Sequence, residues 1–97
     1  MITGKQRSYL KSLANNIDPI LQIGKNGITD TVIMQADEAL EARELIKVKV
    51  LNNSFLNAKE TANEMAEVLK AEFVQSIGSK FVLYRKSEEE LINIPKK

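Results

Sequence analysis

The sequence predicts an α/β domain of the α+β kind, with the element order αβαβαββ, two layers and a mixed four-stranded sheet. Apolar residues recur at helical spacing in three segments, and shorter runs between them have the character of β-strands. The last two runs flank Gly78-Ser79, which is typical of a hairpin. Because strand–helix–strand units favour parallel neighbours and a hairpin adds an antiparallel pair, the sheet should be mixed.

The predicted helices begin at recognisable capping residues. Thr3 with Gln6 and Asn57 with Glu60 have the spacing of capping patterns, and Thr29 is the expected N-cap between them. Apolar periodicity then predicts three helices, over about residues 3–14, 29–44 and 57–72.

The predicted strands follow from alternation and from turn residues at their ends. In the second strand Ile46, Val48 and Val50 point to one side, so Lys47 and Lys49 point to the other. Four strands are expected, over residues 19–23, 45–51, 74–77 and 81–85. Phe73 and Phe81 are expected in the core, whereas Tyr84 is the best candidate for an exposed ring. Residues 1–86 should form a single domain and residues 87–97 a C-terminal tail.

Composition excludes several classes of site. A chain of 97 residues has room for one domain. It contains neither cysteine nor histidine, which excludes disulfides, thiolate chemistry, the commonest general base and the commonest metal ligand. No apolar run approaches the roughly 18 residues of a membrane span, and no signal peptide is visible at the N-terminus. The cytoplasm is therefore the expected location.

The distribution of charge is more informative than its total. The formal net charge is only +1, which by itself does not indicate a polyanionic partner. Acidic residues are concentrated in segments 28–44 and 57–72, and basic residues in the segments around them. Whether the basic segments meet depends on the fold.

The segment Gly24-Lys25-Asn26-Gly27 lies between a predicted strand and a predicted helix. A G-x-x-G turn at such a position allows the backbone to approach a sugar-phosphate chain, and the helix N-terminus behind it favours anions. Asn-Gly is also a common hairpin turn. The helix-periodic residues that follow the segment argue against a hairpin.

Other basic residues could support the turn or have no specific role. Arg7 and Lys11 share a flank of the first helix near Lys5, and Lys47 and Lys49 share a strand face. Solvated helix faces and lysine-protected sheet edges are the alternative explanations. A third basic group follows at the last strand: Lys80, Arg85 and Lys86.

Five blocks of the sequence carry a recognisable pattern, at residues 5–14, 24–29, 39–50, 74–78 and 82–85. The most specific stretches are Arg-Glu-Leu-Ile-Lys-Val-Lys and Val-Leu-Tyr-Arg. In this order and at these distances, the blocks resemble the CRM domain (chloroplast RNA splicing and ribosome maturation), specifically the stand-alone bacterial YhbY family.

The resemblance implies a fold like the C-terminal domain of bacterial translation initiation factor three and a KH-like G-x-x-G loop used on RNA. It also implies association with rRNA in precursors of the large ribosomal subunit. A monomer is expected, with no catalytic residue, metal, cofactor, small-molecule substrate or membrane partner. The expected RNA-binding residues are Gly24, Lys25, Asn26, Gly27, Lys5, Arg7, Lys11, Lys47, Lys49 and Arg85.

Two other classes of function remain open. The acidic helices, including Glu38 and Glu41, could dock on a ribosomal protein or an assembly GTPase. A nuclease could use Asp30, Asp37 and Glu41 with a metal ion, although their spacing is that of an ordinary solvated helix face.

Overall fold

A computed structural model describes residues 2–51, 57–87 and 92. It confirms the predicted αβαβαββ order and the mixed sheet. The elements are α1 (Gly4–Ala14), β1 (Leu21–Ile23), α2 (Asp30–Arg43), β2 (Leu45–Val50), α3 (Ala58–Leu69), β3 (Glu72–Ile77) and β4 (Lys80–Tyr84).

The sheet has the strand order β1-β2-β4-β3. β1 runs parallel to β2, and β4 pairs antiparallel with both β2 and β3. β3 and β4 form the predicted hairpin, in which Gly78 adopts a left-handed φ of 59°. The short β1 and the longer β3 are therefore the two edges of the sheet.

The capping residues predicted from sequence are the ones that begin the helices. The Thr3 hydroxyl accepts from the Gln6 N–H at 3.1 Å, and the Gln6 side chain accepts from the Thr3 N–H at 2.9 Å. Asn57 is the N-cap of α3, as predicted, and its side-chain oxygen accepts from the Lys59 N–H at 2.9 Å and the Glu60 N–H at 3.1 Å. α3 ends earlier than expected because Lys70 takes a left-handed conformation, and the Ala71 N–H donates back to the Ala66 carbonyl at 2.8 Å.

The expected two-layer arrangement is wrong in one respect, since helices cover both faces of the sheet. α2 and α3 pack on one face with Ile46, Val48 and Phe81, while α1 packs on the other through Leu10 and Ala14. The reason lies in β4, whose consecutive apolar residues from Phe81 to Tyr84 are all buried. Such a run is typical of a strand that is covered on both faces.

The aromatic residues of the last strands also reflect the covering of both sheet faces by helices. Phe81 is fully buried and Phe73 packs against the same cluster, which confirms that both belong to the core. Tyr84, expected to be exposed, is only 4% exposed because its side of the sheet lies under α1.

Two residues of the expected tail contact the domain. Ser87 is buried, and Ile92 packs against the cluster under α1. Residues 88–91 and 93–97 lie outside the described residues. In the part of the chain that is described, no helix has the length and apolar character needed to cross a membrane.

Candidate nucleic-acid interface

The G-x-x-G segment forms a tight turn between β1 and α2. The Gly27 N–H donates to the Gly24 carbonyl at 3.0 Å, and Lys25 and Asn26 are exposed at the tip. Gly27 has a φ of 69°, a left-handed value that favours glycine. Thr29 then caps α2 by accepting from the Val32 N–H at 3.2 Å. The turn therefore connects a strand to a helix, as predicted, and is not a hairpin.

The strand lysines lie on the sheet face next to this turn. In the register, Lys49 pairs with both Gln22 of β1 and Lys80 of β4, and Lys80 pairs in turn with Ile77. Paired residues share a face, so these four residues form a row across the sheet. Lys47 lies in the next row, in register with Val82 of β4, which is paired in turn with Gln75 of β3.

α1 covers mainly the part of this face that is distant from the turn. Leu10 and Ala14 of the helix belong to one buried cluster with Leu45, Val74, Val82 and Tyr84. The two rows closer to the turn contain lysine, glutamine and apolar side chains and no carboxylate among the described strand residues. An open basic surface results, and we call the side of the sheet that holds Lys47, Lys49 and Lys80 the lysine face.

The α1 residues predicted from sequence lie along the border of the lysine face. The Arg7 Nε donates to the Phe73 carbonyl on edge strand β3 at 3.3 Å. Lys11 is exposed one helical turn further on, and Asn15 follows one turn after it. Strand spacing and rise place Arg7 roughly 20 Å from the G-x-x-G turn. Lys5 is exposed in the first turn of α1 and belongs neither to the lysine face nor to its border.

Arg85 is not part of this surface. Its guanidinium donates to the Asp37 carboxylate at 2.8 Å and to the Glu41 carboxylate at 3.2 Å. It also donates to the carbonyls of Leu69 at 3.0 Å and Asp37 at 3.1 Å. With its side chain only 17% exposed, Arg85 links α2 to the end of α3 on the opposite side of the sheet.

The outer surface of α2 and α3 is acidic. The exposed carboxylates of these two helices are those of Asp30, Asp37, Glu38, Glu41, Glu60, Glu64 and Glu67. The sheet thus separates the acidic helices from the lysine face. The metal-dependent nuclease alternative would use Asp30, Asp37 and Glu41, but the carboxylates of Asp37 and Glu41 bind Arg85. The described residues also contain no cluster of three or more acidic side chains arranged for a metal ion.

The sequence interpretation did not include Lys80, Gln22, Gln75 or Asn15 in the site. The positions of the three strand residues in this group depend on strand order, which pairs Lys80 with Lys49 although 31 positions separate them in the chain. Lys80 was noted as part of a basic group at the last strand. Periodicity alone could not reveal that β4, and not β3, lies beside β2.

Fold and site together define a small α/β domain with a G-x-x-G turn at one corner of a mixed sheet and lysines beside it. The chain belongs to the CRS1 / YhbY (CRM) domain family, which its sequence matches over residues 2–85. This match confirms the resemblance drawn from the sequence blocks.

Similar proteins span nearly the whole chain. Probable RNA-binding protein YqeI of Bacillus subtilis is 48% identical over 93 residues, covering 92% of this chain and 93% of YqeI. An RNA-binding protein of Haemophilus influenzae is 40% identical over 96 residues, covering 99% and 97%. The solution structure of SAV1595 from Staphylococcus aureus is 55% identical, with a TM-score of 0.82, and covers 98% of this chain and 100% of SAV1595.

Proposed function

We propose that this protein binds RNA through the G-x-x-G turn and the lysine face, and that it acts as an assembly factor on rRNA of the large ribosomal subunit precursor. The observation that carries the proposal is the placement of Lys47, Lys49 and Lys80 beside the turn, with the acidic helices on the other side of the sheet. The chain would act by binding alone, without a covalent step or a cofactor.

The turn suits a phosphate for three physical reasons. Gly24 and Gly27 have no side chain to prevent a sugar-phosphate backbone from approaching closely. The N-terminus of α2 directs N–H groups and partial positive charge toward this corner. Lys25 adds a full charge at the exposed tip. Contacts of this kind position RNA without reading its sequence.

The predicted binding residues therefore differ in how close they lie to the centre of the proposed RNA-binding surface. Gly24, Lys25, Asn26, Gly27, Lys47 and Lys49 form the centre of the proposed surface, which Lys80 completes. Lys11 and Arg7 extend it along α1 toward the far corner of the sheet, and Lys5 is peripheral. Arg85 is left out, because its donors are bonded to acidic and carbonyl oxygens on the opposite side.

The rRNA target and the assembly role rest on the family relationship, and the relatives' names support RNA as the class of ligand. The proposal keeps the cytoplasm as the location and a monomer as the binding unit. Crosslinking in cells, followed by sequencing of the attached RNA, tests the target. Enrichment of large-subunit rRNA precursors is expected, and enrichment of unrelated transcripts alone would contradict the assigned role.

A binding measurement in vitro tests the surface. The double variant Lys25→Ala, Lys49→Ala should bind single-stranded RNA at least about tenfold more weakly than wild type, because two phosphate contacts are lost. The matched control is Lys59→Ala, which removes an exposed lysine from α3. Equal weakening in both proteins would mean that the lysine face has no special role.

A second function has a specific observation in its favour. The acidic surface of α2 and α3 also exposes Met34 and Val68, at 58% and 57%. Apolar side chains surrounded by carboxylates suit a basic protein partner. Reversing Glu38 and Glu64 to lysine tests this docking, since neither binds Arg85. Loss of ribosome association with RNA binding intact would favour the docking function.

A further inference from the structure

We propose that the lysine face contains a pocket for a single unstacked nucleotide, and that amide side chains in this pocket select its base. The pocket has a volume of about 410 Å³ and lies between the end of α1 and the β3–β4 hairpin. This inference rests on the RNA-binding function proposed above. It extends that function from phosphate binding to the reading of one base.

The size and lining of the pocket suit a nucleobase. Its volume falls in the range of small-molecule sites, about 300–1,000 Å³. Val82 forms an apolar floor, and Ile77 is an apolar wall that is 66% exposed. No aromatic residue is among its lining residues. A base would therefore contact aliphatic side chains on its face, and its polar edge would decide affinity.

Charge distinguishes this pocket from two other depressions in the described part of the surface. The groove between β1 and α2 includes Glu38, and the depression between the end of α1 and β2 includes Asp18. The hairpin pocket is lined by Lys47 and Lys80 and by no carboxylate. It is therefore the depression best suited to a ligand that carries phosphate groups.

The pocket also has polar groups able to distinguish bases. Asn15 and Gln75 line it, and neither side-chain amide bonds another described residue. Each amide offers both a donor and an acceptor, which match the edges of unpaired bases. Lysines cannot make this distinction, because they donate to any phosphate. Selectivity should therefore depend on the amides and general affinity on the lysines.

The pocket and the turn lie within reach of one RNA strand. Lys80 is paired with Lys49, and Lys49 with Gln22, the residue that precedes the last position of β1. Two strand spacings, about 10 Å, separate β4 from β1. A strand of RNA held at the turn can therefore cross Lys49 and place a neighbouring nucleotide in the pocket.

The test compares dissociation constants for four oligoribonucleotides of equal length, each of a single base, at one salt concentration. Wild type should bind its preferred base about tenfold more tightly than its least preferred base. Gln75→Leu and Asn15→Ala should each reduce this difference, mainly by weakening the preferred oligonucleotide. Gln35→Leu is the matched control, because Gln35 lies in the groove between β1 and α2. It should leave the difference unchanged.

Each contrary result has a distinct meaning. RNA binding by wild type without any base preference would overturn the pocket and leave the proposed function standing. A preference that survives both Gln75→Leu and Asn15→Ala, or that Gln35→Leu removes, would also overturn it. No RNA binding by wild type would overturn both proposals. Thermal melting of each variant separates loss of selectivity from loss of fold, and exposed Asn15 provides a test independent of the strand residue Gln75.

Discussion

At the scale of single residues, Glu44 combines a buried, hydrogen-bonded side chain with an unusual backbone conformation. Its side chain is fully buried and accepts hydrogen bonds from the Ser87 N–H at 2.7 Å, the Ser87 hydroxyl at 2.6 Å and the Ile92 N–H at 2.7 Å. Its backbone adopts a left-handed φ of 66° at the end of α2. Such a conformation costs a non-glycine residue free energy, so the side-chain bonds must offset it.

Glu44→Gln should therefore destabilise the protein. An amide replaces one acceptor oxygen with an NH₂ group that faces existing donors, and the expected loss in free energy of unfolding is about 2–3 kcal/mol. Urea denaturation measures this loss. The control is Glu38→Gln on the exposed surface of α2, which should change stability little. Equal stability of Glu44→Gln and wild type would mean that the three hydrogen bonds from Ser87 and Ile92 to Glu44 do not stabilise the fold.

Gly27 is the other residue at which backbone conformation matters. Gly27→Ala places a Cβ at a φ of 69° and should reduce stability by about 1 kcal/mol. Gly27→Asn should recover much of that stability, because asparagine tolerates the left-handed region better. If RNA needs a bare backbone here, both variants should bind RNA more weakly. Full affinity in Gly27→Asn would mean that the glycine serves only the turn.

At the scale of elements, Arg85, the residue directly after β4, connects both helices that cover one face. Arg85→Ala removes bonds to α2 and to the last turn of α3 and should cost about 1–2 kcal/mol, since the two partner carboxylates are largely exposed and their ion pairs are weak. RNA affinity of the folded variant should stay within about twofold of wild type, because the Arg85 guanidinium donates to Asp37, Glu41 and Leu69 on the side opposite the proposed RNA-binding surface. Denaturant titration and RNA binding of the same preparation check both values.

The matched comparison within β4 is Lys80→Ala. Lys80 is exposed at the opposite end of the strand, so its removal should weaken RNA binding and leave the melting temperature nearly unchanged. A loss of RNA affinity in Arg85→Ala that exceeds its loss of folded protein would mean that Arg85 belongs to the RNA-binding surface.

Sequence signals between residues close together in the chain predicted most of the helices and strands. Thr3, Thr29 and Asn57 cap their helices as expected, because a cap depends on residues within one turn. Strand order and the face covered by α1 depend on pairings between distant segments, which alternation within one strand does not reveal. Alternation puts Lys80 and Arg85, five positions apart, on opposite sides of the sheet, but it does not reveal which of them shares a face with Lys47 and Lys49, because that depends on the pairing of β4 with β2. The turn was found because its four residues are consecutive.

At the scale of the whole molecule, the separation of charge predicts a shallow dependence of binding on salt. About three to five phosphates neutralised by Lys25, Lys47, Lys49 and the α1 residues correspond to a slope of about −2 to −4 in log K against log salt for single-stranded RNA. Lys25→Ala and Lys47→Ala should each reduce the slope by somewhat under one unit.

The control in the salt series should be Lys59→Ala. Lys59 lies within the first turn of α3, whereas Lys70 is the C-cap residue of that helix, with a left-handed φ of 56°. If Lys59→Ala changes the slope as much as Lys25→Ala, RNA binds diffusely over the molecule.

The hydrogen bonds of Ile2 and Ile92 also show where a probe can be attached without obstructing the proposed binding surface. The Ile2 N–H donates to the Glu72 carboxylate at 3.1 Å, and the Ile92 N–H donates to the Glu44 carboxylate at 2.7 Å. Glu72 begins β3 and Glu44 directly precedes β2, so both lie at the end of the sheet remote from the G-x-x-G turn, separated from it by the length of β2, roughly 17 Å. A fluorescent dye attached at Ile2 or Ile92 would therefore sit away from the turn and report on the fold of a domain whose RNA-binding corner is left uncovered.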